Sequence, residues 1–295
     1  MITLIMFIGV KPNSAEPHTV LDEENCRLCI TVLSDCHIEG NNLSRYNAFG
    51  TILKDAANNS FDNNVTLFLG DNTMNGQNIE SLLFYGAVDR VRPSDRIITV
   101  IGNHDVGNGE GDYSKLLSRY QGYNSAFFGT TFNDDNPWRC EVVDGYYFII
   151  LAPQDLCVYE MPITDAQYEF LDEMLELATA EGKPAFVLCH YPIDDVDEDW
   201  GERAEEIVAK YDNVFWLGGH THMPIIEGWT FSDAWGVNEV NLPRCTELAG
   251  SGDNEIYSGT GYGVQLEVYD NEVIGRARNY YTGEWEGLEY TFTLK

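Results

Sequence analysis

The sequence predicts an α/β fold with mainly parallel strand pairing, closed by antiparallel hairpins. Between residues 28 and 217 short apolar runs alternate with helical patterns, which implies strands joined by helical crossovers. The runs are rich in Val, Ile and Phe and only four to six residues long, as suits strands buried on both faces. After His222 the pattern shifts to alternating stretches with Gly, Tyr and Thr, the mark of antiparallel hairpins.

In chain order, Ile2 to Val10 is apolar and resembles the core of a secretory signal. No basic residue precedes it and no good small-x-small cleavage site follows, although Ser14-Ala15 stands at a plausible distance. A signal-like segment and a strand-forming tail both stay open. Residues 11 to 25 are polar, with two prolines and no apolar period, and read as a loose tail or linker. Residues 1–25 are therefore set apart from a single domain over 26–295. Strands are expected at Leu28 to Leu33, Val65 to Leu69, Ile97 to Ile101, Tyr147 to Leu151, Ala185 to Leu188 and Val214 to Leu217. Residues 43–57 and 78–92 are helix candidates with weaker periodicity. Thr164 and Gln167 fit a capping box, after which Phe170, Leu171, Met174, Leu175 and Ala178 recur at helical spacing until Gly182-Lys183-Pro184. Trp200, Ala204, Ile207, Val208 and Tyr211 form a second stripe, ended by Asp212-Asn213. Val264 to Val268 alternates, turns over Tyr269 to Glu272 and continues at Val273-Ile274, as a hairpin should.

Composition narrows the function classes. The chain has 295 residues, with 17 Lys and Arg against 48 Asp and Glu, a net charge of −31. So acidic a surface is repelled by nucleic acid and by anionic lipid, which argues against a nucleic-acid scaffold as partner. Hydrophobic residues make up 44% and aromatics 13%, enough for a packed core, so acidity does not mean disorder here. No stretch reaches the ~18 apolar residues of a membrane-spanning helix. The apolar start followed by a polar spacer tips the expected location toward export over the cytoplasm. Seven cysteines spread through the chain are not a small disulfide framework. Cys26-x-x-Cys29 precedes a strand instead of opening a helix, and no second pair completes a zinc site. Cys36 and Cys189 stand beside polar site residues but are expected to point into the core.

Five of the six histidines lie at predicted strand ends in polar company; His18, in the tail, is the exception. Asp35 and His37 follow the first strand, Asp71 the second, and Asn103, His104 and Asp105 the third. His190 follows the run AFVLC, and His220 and His222 follow FWLG. In open α/β sheets the carboxyl ends of strands are where ligands bind. Asp-x-His and His-x-His place two side chains on one side of an extended segment. Imidazole, carboxylate and amide oxygen without thiolate suit Mn, Fe or Zn in a non-structural site. Asp35, His37, Asp71, Asn103, His190, His220 and His222 are too many donors for one ion and suit two that share a carboxylate.

The ordered series Asp35-x-His37, Gly70-Asp71, Gly102-Asn103-His104-Asp105, His190 and Gly219-His220-x-His222 resembles the calcineurin-like metallophosphoesterases, over roughly residues 28 to 222. The resemblance implies a four-layer α/β/β/α sandwich with two central mixed sheets and a dinuclear site. It implies that Asp35, His37, Asp71 and His222 hold one ion, and that Asp71, Asn103, His190 and His220 hold the other. His104 would be the catalytic histidine. One position departs from the pattern. Many members carry an Asp three residues after the second-motif Asp, and purple acid phosphatases carry a Tyr; here Met74 stands there.

The function expected on this basis is hydrolysis of a small or medium phosphomonoester or phosphodiester by a hydroxide bridging two divalent or trivalent ions, Mn, Fe or Zn. His104 stabilises the transition state or protonates the leaving oxygen. Asp105 either orients His104 or is a structural acceptor for backbone. Asn75, Tyr191, Asp194 and Asp195 are pocket candidates by position alone. A nuclease of the same fold and a non-catalytic metal-binding scaffold are the alternatives. Charge argues against the first, and a complete donor set with His104 argues against the second.

Overall fold

The computed structural model describes residues 18–133, 136–193, 198–233, 236–246 and 260–295. The apolar start and the signal question therefore lie outside the described residues. Two six-stranded sheets, each mixed, form the body. The first has the order β12-β11-β10-β1-β2-β3, built from β1 (Leu28–Leu33), β2 (Asn64–Leu69), β3 (Arg96–Val100), β10 (Tyr262–Val268), β11 (Glu272–Asn279) and β12 (Glu284–Thr293). The second has the order β4-β5-β6-β7-β9-β8: β4 (Arg139–Val143), β5 (Tyr146–Ile150), β6 (Ala185–Leu188), β7 (Val214–Gly218), β8 (Phe231–Ser232) and β9 (Asn238–Asn241).

Alternation along the strands divides the core into three layers. Leu28, Ile30 and Val32 of β1, with Val65, Leu67 and Leu69 of β2, meet Phe148, Phe186, Phe215 and Leu217 of the other sheet in a central cluster. Phe148 stacks on Phe186 at 5.2 Å, Phe186 lies 5.5 Å from Phe215, and Phe215 meets Phe292 of the first sheet edge-on at 5.2 Å. On the outer face of the first sheet, Leu33, Phe68 and Ile97 pack on α1 (Leu43–Ala56) and α2 (Asn78–Val91) through Phe49, Ile52, Phe84 and Val88. On the outer face of the second, Ile149, Val187 and Trp216 pack on α4 (Asp165–Thr179) and α5 (Glu198–Val208). The expected four layers are present.

Each of the six buried strands expected between residues 28 and 217 forms, with boundaries moved by at most one residue, and the expected hairpin forms as β10 and β11, both longer than the alternating stretches that announced them. Five elements had no individually placed counterpart in the sequence: α3 (Tyr113–Phe128), β4, β8, β9 and β12. Only Leu116, Leu117, Tyr120 and Asn124 of α3 are buried, too few for a clear apolar period. The capping box at Thr164 and Gln167 does not form. Gln167 turns inward, where Oε1 accepts from Ala152 N at 2.8 Å and Nε2 donates to Ala152 O at 3.0 Å. Trp200 has its side chain outside the described residues.

Residues 18–25 are not a loose tail. Leu21 N donates to Glu267 Oε2 at 2.8 Å, Thr19 O accepts from Gln265 Nε2 and Arg276 Nη1, and His18 is 1% exposed. This strap lies on β10 and β11. His18 stacks on Trp285 at 5.8 Å and meets Tyr280 edge-on at 5.3 Å. Burial, with Arg278 and Arg276 nearby, pushes its pKa down to about 3.

Candidate metal centre

The parallel strands β1, β2, β3, β6 and β7 end on one edge, and their following residues converge there. The geometry differs from an extended Asp-x-His or His-x-His segment. Asp35, His37, Asp71, His220 and His222 all have left-handed backbone, with φ of 53°, 43°, 50°, 64° and 54°. Each such residue costs of order 1–3 kcal/mol, a strain that clusters at functional sites. Neighbouring segments hold it in place: Asp35 N donates to Gly70 O at 3.1 Å, His37 N to Asp71 O at 2.8 Å and Gly219 N to His190 O at 2.8 Å. Two glycines let the segments close. A Cβ on Gly102 would fall 2.2 Å from Asp71 Oδ1, and one on Gly219 would fall 2.0 Å from Ser34 Oγ.

Ligand atoms of Asp35, His37, Asp71 and His222 all lie within 4.8 Å of one another. His222 Nε2 is 2.9 Å from Asp35 Oδ1 and 3.1 Å from His37 Nε2. On the other side of Asp71, His190 Nε2 lies 3.3 Å from its Oδ2, and His220 Nδ1 lies 3.2 Å from Asn103 Oδ1. Asn103 Nδ2 donates to Asn108 Oδ1 at 2.9 Å, which fixes the amide with its oxygen toward the site. His190 Nδ1 donates to Leu69 O at 2.7 Å, so its Nε2 faces Asp71. Ser34 Oγ donates to Asp35 Oδ2 at 2.6 Å. Sequence reasoning missed Ser34 and Asn108. The first sits next to a predicted donor, but nothing in the order of residues signals the second.

Charge in this pocket is strongly perturbed. Burial opposes the charged form of Asp35, yet His222 and His37 hold its pKa well below the usual range. Burial likewise opposes Asp71, but His190 and His37 depress it. Burial pushes His37 down to about 3 and His220 down to about 4. Against burial, Asp71 lifts His190 to about 9. Two buried carboxylates faced by imidazoles form an anionic basin that draws either protons or cations.

His104 stands at the mouth, with its side chain 22% exposed, and His222 beside it is 26% exposed. His104 Nδ1 donates to Met74 O at 2.7 Å, and Nε2 faces inward, 4.0 Å from Asp71 Oδ2. Asp105 makes other contacts. Its carboxylate accepts from Gly102 N, from Asn72 N and Nδ2, and from Thr73 N and Oγ1, at 2.8–3.2 Å. These bonds tie the loop after β2 to the loop after β3, as the structural alternative for Asp105 requires. Burial and the charge of Asp71 raise its pKa to about 6. Among the pocket candidates, Asn75 is held by Glu80. Tyr191 is buried, with its ring 4.4 Å from that of His220. Asp194 and Asp195 lie outside the described residues. Cys36 and Cys189 are fully buried, as expected.

The family model of the calcineurin-like phosphoesterases matches residues 29–224, well over half of the chain and all of the donors above. The chain belongs to this family. It is a metal-dependent phosphoesterase, and the family depends on a dinuclear metal centre. No curated protein matches the chain in sequence. Among solved structures, this phosphoesterase is similar to a dimetal phosphatase from Danio rerio, with TM-score 0.62 and 14% identity over 92% of this chain and 100% of that one. It is also similar to a purple acid phosphatase from yellow lupin (Lupinus luteus) seeds, with TM-score 0.59 and 16% identity over 90% of this chain and 53% of that one. Those likenesses are of fold. Among the described residues, no helix is long and apolar enough to cross a membrane.

Proposed function

We propose that this phosphoesterase hydrolyses small or medium phosphomonoesters or phosphodiesters at a dinuclear centre. Asp35, His37, Asp71 and His222 would hold one ion, and Asp71, Asn103, His190 and His220 the other. One observation carries the reading. His190 Nε2 is fully buried without a hydrogen-bond partner, with Nδ1 committed to Leu69 O, and lies 3.3 Å from Asp71 Oδ2. A lone pair facing a carboxylate in the dry interior is repulsive unless a proton or a cation lies between them. The donor set fits Mn, Fe or Zn because it mixes imidazole, carboxylate and amide oxygen without a thiolate.

Bound ions supply neutralisation of the phosphoryl oxygens and a lowered pKa for water. The chain supplies the rest. Ser34 and Asn108 orient Asp35 and Asn103 and so fix which oxygen faces the centre. Leu69 O fixes the tautomer of His190. With Nδ1 of His104 donating to Met74 O, Nε2 is left facing the centre, 4.0 Å from Asp71 Oδ2, where the imidazolium form would give its proton to the leaving oxygen of the ester. The acidic body favours compact substrates over polyanions. The test is a turnover screen of aryl phosphates, bis-aryl phosphates, nucleotides and nucleic acids with Mn, Fe or Zn, alongside metal analysis. Close to two ions per chain and turnover of a small ester are expected. Less than one ion per chain with no turnover would sink the proposal.

A further inference from the structure

We infer that Cys36 and Cys245 are a site of oxidative modification, forming a disulfide that ties the peptide bearing Asp35 and His37 to the segment after β9. Their sulfurs lie 3.4 Å apart across 209 residues of sequence, and both side chains are fully buried. A disulfide needs ~2.05 Å, so the sulfurs must close by a little over an ångström, within reach of side-chain rotation and a small backbone shift. The backbones already run side by side. Cys245 N donates to Ser34 O at 3.0 Å, Thr246 Oγ1 donates to Cys36 O, and Gly261 N donates to Cys245 O at 2.7 Å.

The remaining cysteines are committed elsewhere. Cys26 Sγ donates to Leu28 O at 3.5 Å, Cys29 Sγ accepts from Asn59 Nδ2 at 3.2 Å and Cys140 Sγ lies 3.9 Å from Glu141 O. Cys157 Sγ accepts from Tyr191 OH at 3.4 Å, and Cys189 Sγ lies 3.7 Å from Met161 Sδ. Among the described residues, Cys36 and Cys245 are the one pair with sulfur facing sulfur across a hydrogen-bonded frame.

The oxidant is a small peroxide, which can reach a buried pair during local opening or folding. One thiol sulfur attacks the peroxide O–O bond, giving a sulfenic acid and one water. The second sulfur attacks the sulfenic sulfur, forms the S–S bond and expels a second water. Two thiols lose two electrons and two protons, and hydrogen peroxide takes up both. The bond closes a loop of 209 residues, and so long a constraint on the unfolded chain stabilises the fold.

The full chain is oxidised with hydrogen peroxide, both folded and during refolding from urea, and thiols are then titrated in denaturant. The reduced protein should show all seven thiols, and the oxidised one two fewer, 7 − 2 = 5. Peptide mapping should recover Cys36 joined to Cys245. The midpoint of thermal unfolding should rise by about 5–15 °C and return on reduction. Cys245→Ala should abolish the linked peptide and the rise, whereas Cys140→Ser should keep both. Seven thiols after both treatments, or linked peptides that join other cysteines, would overturn the inference, and this count on the unmodified sequence stands even if Cys245→Ala fails to fold.

Discussion

His104 takes its orientation from a backbone atom, not from a carboxylate. Its Nδ1 donates to Met74 O, three residues after Asp71. Replacing His104 with Ala should lower kcat by about 10²- to 10⁴-fold, the usual contribution of a general acid, while metal content stays unchanged. Met74→Ala keeps the carbonyl, so kcat should stay within a few-fold; a collapse there would show that the side chain, not the backbone, does the orienting. The contacts of Asp105 predict a role in stability. Its carboxylate receives five hydrogen bonds while 5% exposed, and Asp105→Ala should cost about 3–5 kcal/mol by leaving buried donors unpaired. Urea unfolding measures it, and a loss below about 1 kcal/mol would reject the role. All seven proposed donors were legible because Asp, Asn and His recur where apolar runs end. Their left-handed backbone was not, because positive φ in a non-glycine residue arises from the packing of neighbouring segments and leaves no trace in residue order.

At the scale of elements, the strap over residues 18–25 is where reading and structure diverged most. Residues 11 to 25, with two prolines ahead of His18 and a polar run, resemble a linker, yet His18 slots between Trp285 and Tyr280. The strap has no apolar period, because its hold comes from one ring and from backbone bonds to Gln265, Arg276 and Glu267. Its pH dependence follows from the sign of the shift. His18 is neutral when folded, with a pKa near 3, whereas an unfolded histidine titrates near 6.5. The unfolded chain therefore binds more protons between those values, and stability falls as pH drops through that window. His18→Phe keeps a stacking ring and removes the proton site. Compared with this variant, the parent should lose up to about 1.4 kcal/mol more per pH unit between pH 6 and 4, and parallel unfolding curves over that range would refute it. Buried strands announced themselves because both faces are apolar. By contrast, β9 reads NEVN and is a strand because β7 offers it a parallel partner and β8 an antiparallel one.

Across the whole molecule, the charge of −31 and the anionic basin at the strand ends point the same way. Asp35 and Asp71 are the two acidic residues among the proposed donors, so nearly all of the excess lies outside the site. Two divalent ions would add +4 there and create a local positive field on a body that otherwise repels phosphate. Phosphate affinity should therefore belong to the metals. Calorimetric titration with inorganic phosphate should give a measurable Kd on the metal-loaded chain and no detectable binding after chelation. The same chelation should lower the midpoint of thermal unfolding by about 5–10 °C, since ions held at a hundred times their Kd contribute ~2.7 kcal/mol by linkage. Readdition of Mn, Fe or Zn should restore both. Phosphate binding that persists in chelator would assign anion capture to the chain itself, and the link between surface charge and metal loading would then fail.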